Sequence, residues 1–106
     1  MKTISVSELK KKIDRGDSFL LLDVREPAEY AAANLNGRLI PLGDLPFRLD
    51  ELEPFKQSEI VVHCRSGQRS SYAVMILQEN GFTNVCNLIG GILAWKADID
   101  PSLPIT

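Results

Sequence analysis

The sequence holds one histidine, one tryptophan and two cysteines, and its 12 basic and 14 acidic residues nearly cancel to a formal charge of -2. Each scarcity removes a class of function. A near-neutral chain offers no general attraction for nucleic acid or an anionic membrane. No apolar run approaches the roughly 18 residues of a spanning helix, and residues 1–5 lead into an amphipathic pattern rather than a secretory segment, so the expected location is the cytoplasm. His63 adjoins Cys64, and Cys86 lies far along the chain. One chain therefore supplies neither a CxxC redox pair nor a Cys/His zinc cluster, and no metal or cofactor is expected. A papain-like Cys-His pair fails as well, because successive strand residues point to opposite faces.

The remainder is ordinary for a soluble globular domain: 106 residues, 44% apolar and 25% charged. Surface scaling at this mass gives about 5,900 Å² exposed after folding, with about two-thirds of the extended chain's surface buried. That suffices for one core, so residues 1–106 read as a single domain with a radius of gyration of about 13 Å.

Along the chain, Ser5 and Glu8 have capping-box spacing, Val6, Leu9 and Ile13 fall on one helical face, and Gly16 supplies a stop. Residues 19–23 form a short apolar run closed by Asp23, which predicts a strand buried on both sides. Pro27 suits the first turn of a helix that continues through the alanines to residue 33. Residues 39–42 predict a short strand, and Asp44 a cap for a helical turn over 47–52 with Pro46 in its first turn. The β-branched run 60–63 is a strong strand signal. A helix is expected over 70–80, a strand over 82–88 and a last helix over 92–97. Strands alternating with helices predict one α/β domain with a largely parallel sheet.

The chemistry concentrates between the 60–63 strand and the following helix, in Cys64, Arg65, Ser66, Gly67, Gln68, Arg69 and Ser70. A strand-to-helix loop gathers backbone N–H groups around its centre, and the helix start adds unpaired donors and a positive dipole end. A sulfur placed there is favoured as thiolate by the amides and arginines, with no histidine base needed. Gly67 permits positive φ and close approach of a ligand, and Ser66 and Ser70 add hydroxyls. The same concavity suits an oxyanion, with Arg69 the better candidate for a planar, two-pronged contact.

That loop, with Asp23-Val24-Arg25-Glu26, Glu29-Tyr30 and Gly90-Gly91-Ile92-Leu93-Ala94-Trp95, resembles the rhodanese-like sulfurtransferase family in its single-domain form. The resemblance implies a three-layer α/β fold, a five-stranded mainly parallel sheet flanked by helices. It implies Cys64 as the sulfur-accepting nucleophile and residues 65–70 as the substrate- and anion-binding loop. Residues 64–69 number six, as in the sulfurtransferase form; the related phosphatase form has one more, to surround a larger oxyanion. The implied reaction moves sulfane sulfur from thiosulfate or a persulfide donor, including a protein persulfide, to cyanide or a thiol through a Cys64 persulfide. Two alternatives stay open: a non-catalytic rhodanese-like module that binds a protein, and a cysteine-dependent phosphatase or arsenate reductase. Residues 34–38, Asn-Leu-Asn-Gly-Arg, depart from the histidine-isoleucine-proline-glycine-alanine stretch often found in the family.

Outside the loop, Asp23 and Arg25 read as an ion pair fixing the site, with direct substrate contact as the alternative for Arg25. Glu26 and Glu29 read as solvated helix charges. His63 is expected in a structural or partner-facing role, Cys86 is expected to be buried, with a resolving role as the alternative, and Phe82 and Trp95 are expected in packing. Phe47 is expected, with Leu42 and Leu45, in a wall bordering the site.

Overall fold

A computed structural model describes residues 1–105. Five strands, β1 (Thr3–Ile4), β2 (Leu20–Asp23), β3 (Arg38–Leu39), β4 (Ile60–His63) and β5 (Val85–Leu88), form one sheet in the order β1-β5-β4-β2-β3. Every pairing is parallel. Four α-helices accompany them: α1 (Val6–Arg15), α2 (Pro27–Ala32), α3 (Gln68–Glu79) and α4 (Gly91–Asp98). The expected five-stranded sheet between helical layers is therefore present. Its exposed area of 5583 Å² and radius of gyration of 12.8 Å match the scaling expectations closely.

Local chemistry explains several boundaries. At α1 the Glu8 N–H donates to Ser5 Oγ and the Ser5 N–H to Glu8 Oε1, each at 3.1 Å, completing the capping box. Gly16 ends that helix at φ 70°, a left-handed conformation that favours glycine. Of the predicted face, Val6 and Leu9 are buried but Ile13 is 43% exposed. β3 stops at Leu39, short of the predicted 42, although Ile40 N–H still donates to Asp23 O at 2.9 Å and Leu42 N–H to Val24 O at 3.0 Å. Their acceptors are adjacent residues rather than two apart, so the even spacing of a parallel ladder is lost after Leu39. Residues 45–55 form two 3₁₀ segments, Leu45–Phe47 and Leu49–Phe55, rather than one capped turn, and Asp44 makes no side-chain cap.

The two sheet faces carry separate cores. On one, α3 sets Ala73, Val74 and Leu77 against Leu22, Ile60 and Val62, joined by Leu45, Leu52 and Phe82. On the other, Val6 and Leu9 of α1 and Trp95 of α4 cover Val61, Cys86 and Leu88. Truncating a fully buried leucine such as Leu77 to alanine is expected to cost about 2–5 kcal/mol. β4 lies centrally, with β2 and β5 as its neighbours. The chain runs outward from β2 to β3 but in the opposite direction from β4 to β5. The carboxyl ends of β2 and β4 thus flank a topological switch point, the usual site of function in open α/β sheets.

Candidate active site

Cys64 follows the last residue of β4, and α3 begins four residues later. Strand alternation puts Cys64 with Ile60 and Val62 in the α3-side core, where it is 1% exposed. The loop turns its donors onto the sulfur: Gly67 N–H lies 3.1 Å and Ser70 N–H 3.4 Å from Sγ, with Ser70 Oγ at 3.3 Å. Gly67 takes φ 111°, which only glycine adopts without strain. Burial pushes the Cys64 thiol pKa up. The Ser70 hydroxyl and the amides of Ser70, Gly67 and Ser66 outweigh it, so the net shift is below the ordinary thiol value.

One contributor has no local mark in the sequence. Asn87 on β5 donates from Nδ2 to Gly67 O at 3.0 Å and accepts from Ser70 Oγ at 2.5 Å. It thereby ties the loop and the start of α3 to the neighbouring strand; the single Ser70 proton serves Asn87 while the Cys64 thiol donates to Ser70 Oγ, and turns to the sulfur when the thiolate forms. The signal that could have revealed it is a polar side chain inside the buried run Val85–Leu88. A buried amide requires partners, and here they are loop atoms.

Arg69 and Glu29 depart from expectation together. The two-pronged contact of Arg69 is made with protein: Nη1 donates to Glu29 Oε1 at 2.7 Å and Nη2 to Oε2 at 2.9 Å. Glu29 is thus an anchoring partner rather than a solvated helix charge. Arg69 holds its carboxyl at about 2 against the opposing effect of burial, with help from the Glu26 amide 2.9 Å away. The pair joins α2 to α3 across the switch point.

Asp23 and Arg25 form the expected ion pair, almost fully buried, with Arg25 Nη2 2.8 Å from Asp23 Oδ2. Arg25 Nε and the Arg25 N–H also donate to Asp23 Oδ1, each at 3.0 Å, and Nη2 reaches Ala33 O at 2.8 Å. These contacts fasten the segment after α2 to the end of β2. His63 is wholly buried, which rules out a partner-facing role. Burial keeps its imidazole neutral by lowering its pKa, against the opposing pull of Asp23, and its Nε2 has no hydrogen-bond partner. Phe47 is 85% exposed and Leu45 fully buried, so they do not form one wall; the 3₁₀ turn sends them in different directions. Cys86 is buried in the opposite core from Cys64, so the sheet lies between the two thiols.

Arg65 and Gln68 complete the loop. Arg65 lines a cavity of about 170 Å³ with Arg25, Glu29 and Pro104. The departing segment 34–38 is held by its own turn and by α2: Asn36 N–H donates to Asn34 Oδ1 at 2.9 Å, Asn34 Nδ2 to Tyr30 O at 3.1 Å, and Tyr30 Oη to Gly37 O at 2.7 Å. Among the described residues no cluster of three or more His, Cys, Asp or Glu side chains is placed to hold a metal ion, and no helix is long and apolar enough to cross a membrane.

A thiol cradled by amides at the carboxyl end of a central parallel strand is what a rhodanese-like fold builds, and the chain belongs to that family: residues 5–98 match the rhodanese-like domain. The adenylyltransferase and sulfurtransferase MOCS3-1 of Zea mays is 40% identical over 108 residues, covering 96% of this chain, which spans only 23% of that longer protein. A sulfurtransferase of Allochromatium vinosum is 37% identical over 93 residues, covering 87% of this chain and 85% of its own length. Among solved structures, a rhodanese-like domain protein from Staphylococcus aureus superimposes with a TM-score of 0.84 at 33% identity, covering 100% of this chain and 99% of its own.

Proposed function

We propose that residues 1–106 act as one sulfurtransferase domain in which Cys64 is the nucleophile. The observation that carries this reading is the convergence of the Gly67 and Ser70 amides and the Ser70 hydroxyl on a 1% exposed sulfur, a setting that favours thiolate in spite of burial. The thiolate attacks the sulfane sulfur of thiosulfate; the sulfur–sulfur bond of the donor breaks, sulfite leaves with the electron pair, and Cys64 carries a persulfide. Cyanide or a thiolate then attacks the outer sulfur, releasing thiocyanate or a new persulfide and restoring the Cys64 thiolate. The covalent intermediate divides one transfer into two displacements. Fixed backbone dipoles favour the anionic sulfur in both, without reorganising at the moment of reaction.

In this reading Ser66, Gly67 and Ser70 supply the donors, and Arg65 and Gln68 border the donor's path. Arg69, held by Glu29, keeps the loop in shape. Asp23 and Arg25 support the neighbouring segment. Incubation with thiosulfate followed by intact-mass measurement is expected to add one sulfur atom, removable by cyanide or dithiothreitol and absent in Cys64→Ala. No added mass and no turnover would overturn the enzymatic reading and leave a protein-binding module. Phosphate-ester turnover lost in Cys64→Ala would replace it with a phosphatase.

A further inference from the structure

The carbonyl side of the loop has partners of its own. α4 starts against it: Ile92 N–H donates to the Cys64 carbonyl at 3.0 Å and Leu93 N–H to the Arg65 carbonyl at 3.1 Å. These amides belong to the first turn of α4, where N–H groups find no acceptor within the helix. A trans peptide unit is planar, with its C=O and N–H pointing in opposite directions. Holding the Arg65 carbonyl toward α4 therefore turns the Ser66 N–H, in the same peptide plane, the other way. That amide is one of the donors that lower the Cys64 thiol pKa.

Gly91 makes the approach possible. Its φ is 58°, and a β-carbon there would stand 2.5 Å from Arg65 O, 2.6 Å from Cys64 O and 2.7 Å from Arg65 C. All three atoms are backbone and cannot swing aside as a flexible side chain would. Any other residue would push α4 and the loop apart.

We propose that Gly91 and the first-turn amides of α4 are positioning groups for Cys64: by gripping the Arg65 carbonyl they fix the peptide plane whose Ser66 amide faces the sulfur, and by gripping the Cys64 carbonyl they hold the backbone that leads into it. The inference rests on Cys64 being the nucleophile. In this role Gly91 acts through the backbone of the loop, which is what an added β-carbon would meet. The other charged and titratable groups around the loop are Arg65 within it, Arg69 on α3 with Glu29 on α2, and His63 at the end of β4; a substitution at Gly91 replaces none of them.

The test measures the Cys64 thiol pKa from the pH dependence of iodoacetamide alkylation and, in the same variants, the rate of persulfide formation from thiosulfate. Gly91→Ala is expected to raise the thiol pKa by about one unit, which lowers the thiolate fraction about tenfold at a pH below both pKa values, and to slow persulfide formation there at least as much. Gly16→Ala is the control. It imposes the same left-handed strain, at φ 70°, where a β-carbon meets nothing within 4 Å, and is expected to leave the pKa unchanged. Where Gly91→Ala fails to fold, an amide-to-ester replacement at Leu93 removes a single N–H and is expected to shift the pKa in the same direction. An unchanged pKa in the folded Gly91 variant, or in the ester variant if the former does not fold, overturns the proposal. A low wild-type pKa that rises in these variants, with no persulfide formed by the wild type, supports the positioning role while refuting the sulfurtransferase reading.

Discussion

Cys64 and Cys86 sit at the ends of a natural experiment. Each is 1% exposed, and they belong to neighbouring strands or their immediate extension, on opposite faces of one sheet. Around Cys86 the neighbours are apolar side chains, and burial pushes its thiol up to about 11. Around Cys64 the same burial is overcome by a hydroxyl and three amides, and its thiol falls below the ordinary value. Burial alone makes a cysteine inert. What separates the two is one serine hydroxyl and the direction of a few peptide planes, so the reactive character lies in the donors of the loop.

Removing the contrast altogether gives the largest effect. Cys64→Ser is expected to abolish persulfide formation, while Cys86→Ser retains it; transfer activity lost equally in both, as measured by thiocyanate production, would dissolve the distinction. Next, with Cys64 replaced by alanine, native Cys86 is expected to alkylate about a hundredfold more slowly near pH 8 than a free thiol, as a rise of about two pKa units requires. Peptide mapping after timed iodoacetamide exposure measures this, and rapid native labelling would break the comparison from the Cys86 side. Ser70→Ala narrows the contrast from the other side. Loss of a hydrogen bond to a charged atom, worth about 1.5–3 kcal/mol, is expected to slow persulfide formation about 10- to 100-fold and raise the Cys64 pKa, with Cys86 unaffected.

The smallest effect concerns the brace around the loop. Glu29, held at about 2 when folded and ordinarily near 4.5, contributes stability above pH 4.5 that is lost as pH falls toward 2. Because both partners are about one-third exposed, Glu29→Gln is expected to cost no more than about 1 kcal/mol near neutral pH. Chemical denaturation at several pH values should show a shallower acid slope in the variant. An unchanged slope would detach the ion pair from folding.

Local patterns made much of this legible. The Ser5–Glu8 box, the Gly16 stop, the apolar strands around Leu22 and Val62 and the loop from Cys64 to Ser70 carry their structural cause within a few residues. What stayed hidden depends on partners far along the chain. β1 is two residues long and becomes a strand only by pairing with β5. Glu29 looks like any exposed helix carboxylate until α3 brings Arg69 to it, 40 residues on. Asn87 reads as an oddity in a strand until the fold places Gly67 and Ser70 beside it. The apolar pattern of 39–42 continues past the end of β3, because the irregular spacing of its bonds to Asp23 and Val24 leaves no mark in the sequence.

The pairing of Thr3 with Asn87 joins the first strand to the last and spans nearly the whole chain. Parallel contacts between such distant residues lose much loop entropy before they gain anything, which slows folding. During synthesis, then, Cys64 emerges before β5 and α4 exist to shape its surroundings. Until residues 85–93 have joined, the loop lacks its ties to Asn87, Ile92 and Leu93. The order of synthesis thus completes the setting of the sulfur only when the last strand and helix are in place.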